Sequence, residues 1–187
     1  MTHYKDQILA CDFFTIESLF LKTIYCLFFI EIGSRRVHFA GCTRHPNAGW
    51  VNQQARQMIW KLEERGLRIR FLLHDNDTKF TKMFDTIFQS IGIKVIHLPH
   101  RAPNSNAFAE RWVRTVREEC LDKLLIIDQS HLHRVMSEYI PHYNRQRPHQ
   151  GIDQRSPIPF PTPETVGEIH HRDVLGGIIH EYYREAA

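Results

Sequence analysis

Between residues 8 and 43, three stretches rich in β-branched and aromatic side chains follow one another: ILACDFF, TIYCLFFIEI and RRVHFAGCT. Gly33 and Ser34, in the GSRR break before the third, suit a tight connection. Such runs read as strands, and consecutive strands this close in sequence pair antiparallel, so the chain opens on a three-strand meander. Downstream the pattern changes. NAGWVNQQARQMIWKLEERG spaces Trp50, Val51, Ala55, Met58, Ile59 and Leu62 three and four apart, as an amphipathic helix stopped by Gly66. LRIRFLL, TKMFDTIFQSIG and IKVIHLP then read as strand, helix and strand, the sequence of a parallel unit. The expected class is α/β, with a mixed five-stranded sheet (antiparallel meander plus parallel strands) flanked by helices.

Two further helices are expected. AFAERWVRTVREECLDKLL carries Phe108, Trp112, Val113, Val116, Cys120 and Leu124 as a core-facing stripe, and SHLHRVMSEYIPHYNRQ holds Pro141, where a kink is expected. From residue 147 the text RPHQGIDQRSPIPFPTPE is proline-rich and reads as a linker. The tail VLGGIIHEYYREAA suits a hairpin about Gly176 and Gly177. The expected division is therefore a catalytic core over 1–146 and a proline-rich linker with C-terminal tail over 147–187.

At 187 residues and 42% hydrophobic, the chain can bury one ordinary core, and a net charge of +3 permits polyanionic partners without selecting them. Cysteines 11, 26, 42 and 120 form no C-x-x-C pair and read as buried thiols. LFLKTIYCLFFIEIG is broken by Lys22 and Glu31 and is shorter than the roughly 20 residues a bilayer span needs, so no membrane association and a cytoplasmic location are expected. The 13 histidines show no compact ligand motif, and none is assigned to metal.

Three carboxylates stand at comparable places: Asp12 in the first strand, Asp75 at the end of the fourth, and Glu110 on the first turn of the helix after the fifth. With the first and fourth strands side by side, the three can converge. Clustered carboxylates repel and raise one another's pKa, so a stable cluster calls for a cation, and an oxygen-only donor set favours Mg²⁺ or Mn²⁺ over zinc. Singly, each acid reads as well as a turn, a cap or a dipole-complementing residue.

The motifs CDFF, HDNDTKF and PNSNAFAERWVRTVREECLD, with HYNRQRPHQGI after them, make residues 8 to 160 resemble the retroviral-type integrase core of insertion-sequence transposases. These are D,D,E recombinases with a ribonuclease H-like fold, and Asp75 and Glu110 stand 35 residues apart, near that family's usual spacing. The resemblance implies that Asp12, Asp75 and Glu110 are catalytic and hold metal, Mg²⁺ or Mn²⁺ as two ions. It places Asp77 where the family commonly has Gly, leaving a turn role or a second hydrogen-bond role open. It also implies hydrolysis at an element end, strand transfer into target DNA, and a homo-oligomer.

Arg114 and Arg117 follow Glu110 on nearly one helix face, and with Arg111, Arg101 and Lys79 they are the candidate DNA contacts. HRAPNSN resembles the loop before the family's catalytic helix, and in YNRQRPH a structural helix end and a DNA contact are equally open. Only eleven residues precede Asp12, and no helix-turn-helix fits in them. A separately encoded DNA-recognition subunit is therefore expected, and a non-autonomous fragment or a nuclease that only hydrolyses stand as alternatives.

Overall fold

The computed structural model describes residues 2–98, 107–159 and 167–184. After a short 3-10 turn, β1 (Ile8–Glu17), β2 (Thr23–Glu31) and β3 (Val37–Thr43) form the expected meander. α1 (Ala48–Glu64) follows, with the Asn47 side chain accepting from the Trp50 amide at 2.9 Å and Gly66 at φ +61 ending it. β4 (Phe71–His74), α2 (Lys82–Gln89) and β5 (Lys94–His97) make the parallel unit. The sheet order is β3-β2-β1-β4-β5, with β1 and β4 parallel. Beyond it lie α3 (Ala107–Glu119), α4 (Gln129–Arg145) and a hairpin of β6 (Ile169–Val174) and β7 (Ile179–Arg184).

The sheet is buried on both faces, which is why its central strands read as unbroken apolar runs. Leu9 and Cys11 of β1 pack with Leu27, Phe29 and Leu72 under α1 and α2. Ala10, Phe14 and Ile16, the alternate residues, pack with Phe28 under α3 and α4. Trp112 anchors α3 to that second face, with ring centroids 4.1 Å from Phe28 and 5.6 Å from Phe14. All four cysteines are buried free thiols.

One expectation changes. α3 ends at Glu119, not among the leucines, because Cys120 leaves helical geometry (φ −134, ψ −67) and the turn that follows buries Leu121 in the core. α4 runs through Pro141 as one helix: the proline is exposed, so the carbonyl deprived of its amide partner lies on the solvent side. No helix among the described residues is long and apolar enough to cross a membrane.

The YNRQRPH stretch fastens these layers together. The Asn144 side chain accepts from the Val37 amide (2.9 Å) and donates to the Val37 carbonyl (2.8 Å), supplying the partner that the edge of β3 otherwise lacks. Arg147 grips Glu119 through Nε and Nη2 (2.9 and 2.7 Å), and the Tyr139 hydroxyl donates to the same carboxylate at 2.9 Å. Leu175 of the hairpin enters the core under α4, and Glu181 meets His142 at 3.0 Å. Asn144→Ala leaves two buried backbone groups of Val37 unpaired and is expected to lower stability by about 2–3 kcal/mol, read from the chemical-denaturation midpoint. An unchanged midpoint would mean that water replaces the amide.

Candidate active site

The β1–β4 pairing decides where the first two carboxylates stand. Ala10 pairs with Leu73 in parallel register. Two residues further along the chain come Asp12, still in β1, and Asp75, one past the end of β4, so the register brings both to the same end of the strand pair. By alternation Asp12 shares the face of Ala10 and Phe14, the face that α3 covers. Asp75 lies at the carboxyl end of β4, beyond the last paired residue, where open α/β sheets bind their ligands. The third acid arrives from α3: Trp112 is buried inward while Glu110, in the first turn, is exposed.

These carboxylates sense one another. Burial pushes the Asp12 carboxyl from its ordinary 3.8 up to about 7, against the opposing hydrogen bond from the Phe13 amide, and the charges of Asp75, Asp77 and Glu110 push further upward. An acid raised by burial and further by three neighbouring acids marks a region of negative potential, and a divalent cation ligated by oxygen suits it. Asp12, Asp75 and Glu110 present only carboxylate oxygens, so their donor chemistry fits Mg²⁺ or Mn²⁺.

Asp77 has a turn role. Its amide donates to Asp75 Oδ1 at 3.1 Å, its Oδ1 accepts from the Lys79 amide at 2.9 Å, and its carbonyl accepts from the Phe80 amide at 2.9 Å. The HDNDTKF loop is thus folded on itself with Asp75 braced by Asp77. His74 adds a second brace, its Nδ1 donating to the Asp75 carbonyl at 2.6 Å.

The candidate DNA contacts divide by what already holds them. Arg111 and Arg114 are exposed on α3. Arg117 donates to the Thr15 carbonyl at 2.6 Å, with Asp122 at 3.9 Å. Lys79 is ion-paired with Asp77 and lies over the rings of Phe13 and Tyr25. Arg101 and the HRAPNSN loop lie outside the described residues.

Sequence reading passed over one cluster beside this site: His74, Asp85 and His97, which come together only through the β4–β5 register, where His74 pairs with His97. Nothing in their sequence spacing announces this. The signal was the strand-helix-strand unit itself, which returns β5 alongside β4.

Residues 91–157 match the family model described as integrase core domain. Among curated proteins, an insertion element IS476 protein of Xanthomonas euvesicatoria is 31% identical over 87 residues, covering 46% of this chain and 25% of that protein. The chain thus spans a quarter of that relative's length. An insertion element IS136 protein of Agrobacterium fabrum is 23% identical over 146 residues, 74% of each. Among solved structures, the catalytic core domain of BIV integrase superposes with a TM-score of 0.58 at 17% identity, covering 81% of this chain and 91% of that one. The HTLV-2 integrase catalytic core in complex with magnesium gives 0.59 at 13%, over 81% and 93%. At these identities the structures establish the fold: a mixed sheet flanked by helices, of the ribonuclease H-like type seen in retroviral integrase cores.

Proposed function

We propose that this chain, whose residues 91–157 match the integrase core domain model and whose sheet has the fold of retroviral integrase cores, is a metal-dependent DNA recombinase of the D,D,E type. What supports the reading is that the Asp12 carboxyl, raised first by burial, is raised further by the charges of Asp75, Asp77 and Glu110, as acids sharing one end of the β1–β4 pair would do. Asp12, Asp75 and Glu110 would hold divalent ions, Mg²⁺ or Mn²⁺ as a pair, and these would supply Lewis-acid activation of the attacking oxygen and charge stabilisation of the leaving one at phosphorus. The chain's own part is geometric. Asp12 and Asp75 set one edge of the site through strand register, Glu110 closes it from α3, and the Asp77 turn and His74 hold the Asp75 backbone still. No covalent enzyme intermediate is needed.

DNA is the substrate in both roles, as element end and as target, and Arg114 and Arg111 reach its phosphates from the exposed face of α3. Arg117 and Lys79 join them only on leaving Thr15 and Asp77, and Arg101 precedes the helix in sequence. Bringing two ends together calls for a homo-oligomer. The catalytic core spans 1–146 and the linker and tail 147–187, and the protein acts in the cytoplasm, on DNA.

The test is a gel assay with a labelled duplex taken from the DNA that flanks the gene. With Mg²⁺ or Mn²⁺, strand transfer gives products longer than the substrate. Shorter products alone would reduce the protein to a nuclease, and binding without cleavage would make it a non-autonomous fragment. In the same system Arg114→Ala is expected to weaken DNA binding and to reduce the slope of log K against log salt by about 1. An unchanged slope would remove Arg114 from the contact surface.

A further inference from the structure

We propose that His74, Asp85 and His97 form a second metal site, separate from the carboxylate site and suited to Zn²⁺. It does not depend on the recombinase reading, because its residues face the opposite side of β4. His74 follows the alternation of Leu72, which packs under α1 and α2, whereas Asp12 faces α3.

The three donors come from three elements: His74 ends β4, His97 ends β5 and Asp85 lies in α2. His74 Nε2 stands 3.0 Å from Asp85 Oδ1, and His97 Nε2 stands 2.8 Å from Asp85 Oδ2. All three donor atoms lie within 4.8 Å of one another. His74 is fully buried, walled by Phe80 and Phe84 with ring centroids 4.7 and 5.6 Å away. The His97 side chain is 48% exposed and gives the entry path.

The outer contacts of the two rings carry the case. His74 Nδ1 meets the Asp75 carbonyl at 2.6 Å, and a carbonyl only accepts, so Nδ1 bears the hydrogen. His97 Nδ1 meets Asn76 Oδ1 at 3.1 Å. The Asn76 amide nitrogen turns to the Leu98 carbonyl at 3.5 Å, which leaves its oxygen for His97, so this Nδ1 also donates. In both rings Nε2 is therefore the nitrogen turned toward the Asp85 carboxylate, so two imidazole nitrogens and a carboxylate oxygen face one another across a single small site. A divalent cation bound there would take those three atoms as its ligands. Imidazoles whose outer N–H is held by a carbonyl oxygen while the inner nitrogen points at a carboxylate-bearing site are arranged as metal-bound histidines are.

Two nitrogens and one oxygen make a donor set for zinc, with water completing a tetrahedron. In such a site donors about 2.0 Å from zinc stand about 3.3 Å apart, so the two histidine–carboxylate pairs would open by a few tenths of an ångström and the two rings, whose donor atoms lie within 4.8 Å, would turn onto one ion. The bound ion would tie α2 to the β4–β5 edge and, through His74 and Asn76, fix the backbone on which Asp75 sits.

The full chain, stripped with chelator, is titrated with Zn²⁺ against a chromogenic competitor, and zinc content is measured after gel filtration. One zinc per chain is expected. His97→Ala, at a half-exposed strand end, and Asp85→Asn should each lower zinc affinity by more than about 100-fold, and Asn76→Ala by about 10–100-fold, as for an outer partner. The doubly substituted Asp12→Asn, Glu110→Gln protein should bind zinc as the parent does. With Co²⁺ in place of zinc, the parent should show the visible d–d bands of a tetrahedral ion, absent in His97→Ala. A parent chain that retains no zinc, a His97→Ala chain that binds it equally, or zinc lost with Asp12 and Glu110 would each overturn the proposal.

Discussion

Asp12→Asn, Asp75→Asn and Glu110→Gln are each expected to cut Mg²⁺-dependent DNA cleavage by at least about 10²–10³-fold, the scale on which a preorganised electrostatic contact to a developing oxyanion is lost. Each substitution keeps the size of the side chain and removes a negative charge, so far-UV circular dichroism and gel-filtration volume should not change. Asp77→Asn is the informative contrast. Asp77 shapes the turn through its backbone and Oδ1, which an asparagine side chain can reproduce, while its ion pair with Lys79 is lost. Most of the cleavage rate should survive. If Asp75→Asn cut normally and Asp77→Asn did not, the assignment of the two acids in HDNDTKF would be reversed.

The second large effect is on stability, and its sign is unusual for a core acid. Folding raises the Asp12 carboxyl from 3.8 to about 7, so the folded chain holds a proton that the unfolded chain has already released. The stability this contributes is complete below about pH 4 and is lost as pH rises through 7. At about 1.4 kcal/mol per unit, and with part of the side chain in solvent, the loss in the metal-free protein is on the order of 2–4 kcal/mol. Asp12→Asn removes the ionisation. In EDTA at pH 8 it should raise Tm relative to the parent by roughly 5–10 °C, with a much smaller difference at pH 5. Mg²⁺ should stabilise the parent at pH 8 more than at pH 5, since the ion displaces that proton, and should do little for the variant. A variant that melts no higher than the parent at pH 8 would mean that Asp12 carries no repulsive strain. Together the two experiments describe a residue whose removal stabilises the protein and stops its chemistry.

Much of the fold was legible because it is written in periodicities. The two-residue alternation of ILACDFF and the three-and-four spacing of Trp50, Val51, Ala55, Met58 and Leu62 each name an element and a buried face. Pairing was harder. That β1 lies beside β4 followed from the order of strands, but the register that sets Ala10 level with Leu73, and so brings Asp12 and Asp75 to one end of the pair, is a property of the assembled sheet. The same limit hid His74 and His97, neighbours across β4 and β5 yet 23 residues apart in sequence. α3 was read too long because Leu121 and Leu124 continue an apolar pattern that a tight turn buries equally well. The basic look of YNRQRPH concealed an internal fastening, since Arg147 and Asn144 spend their polar groups on Glu119 and Val37.

The most direct measurement is the anomalous diffraction of crystals of this chain soaked in Mn²⁺. An anomalous peak is expected between the carboxylates of Asp12 and Asp75 on the α3 side of the sheet, with Glu110 reaching it or a second peak beside it. Manganese absent from that end of the sheet, or bound only elsewhere on the molecule, would contradict the account at its base.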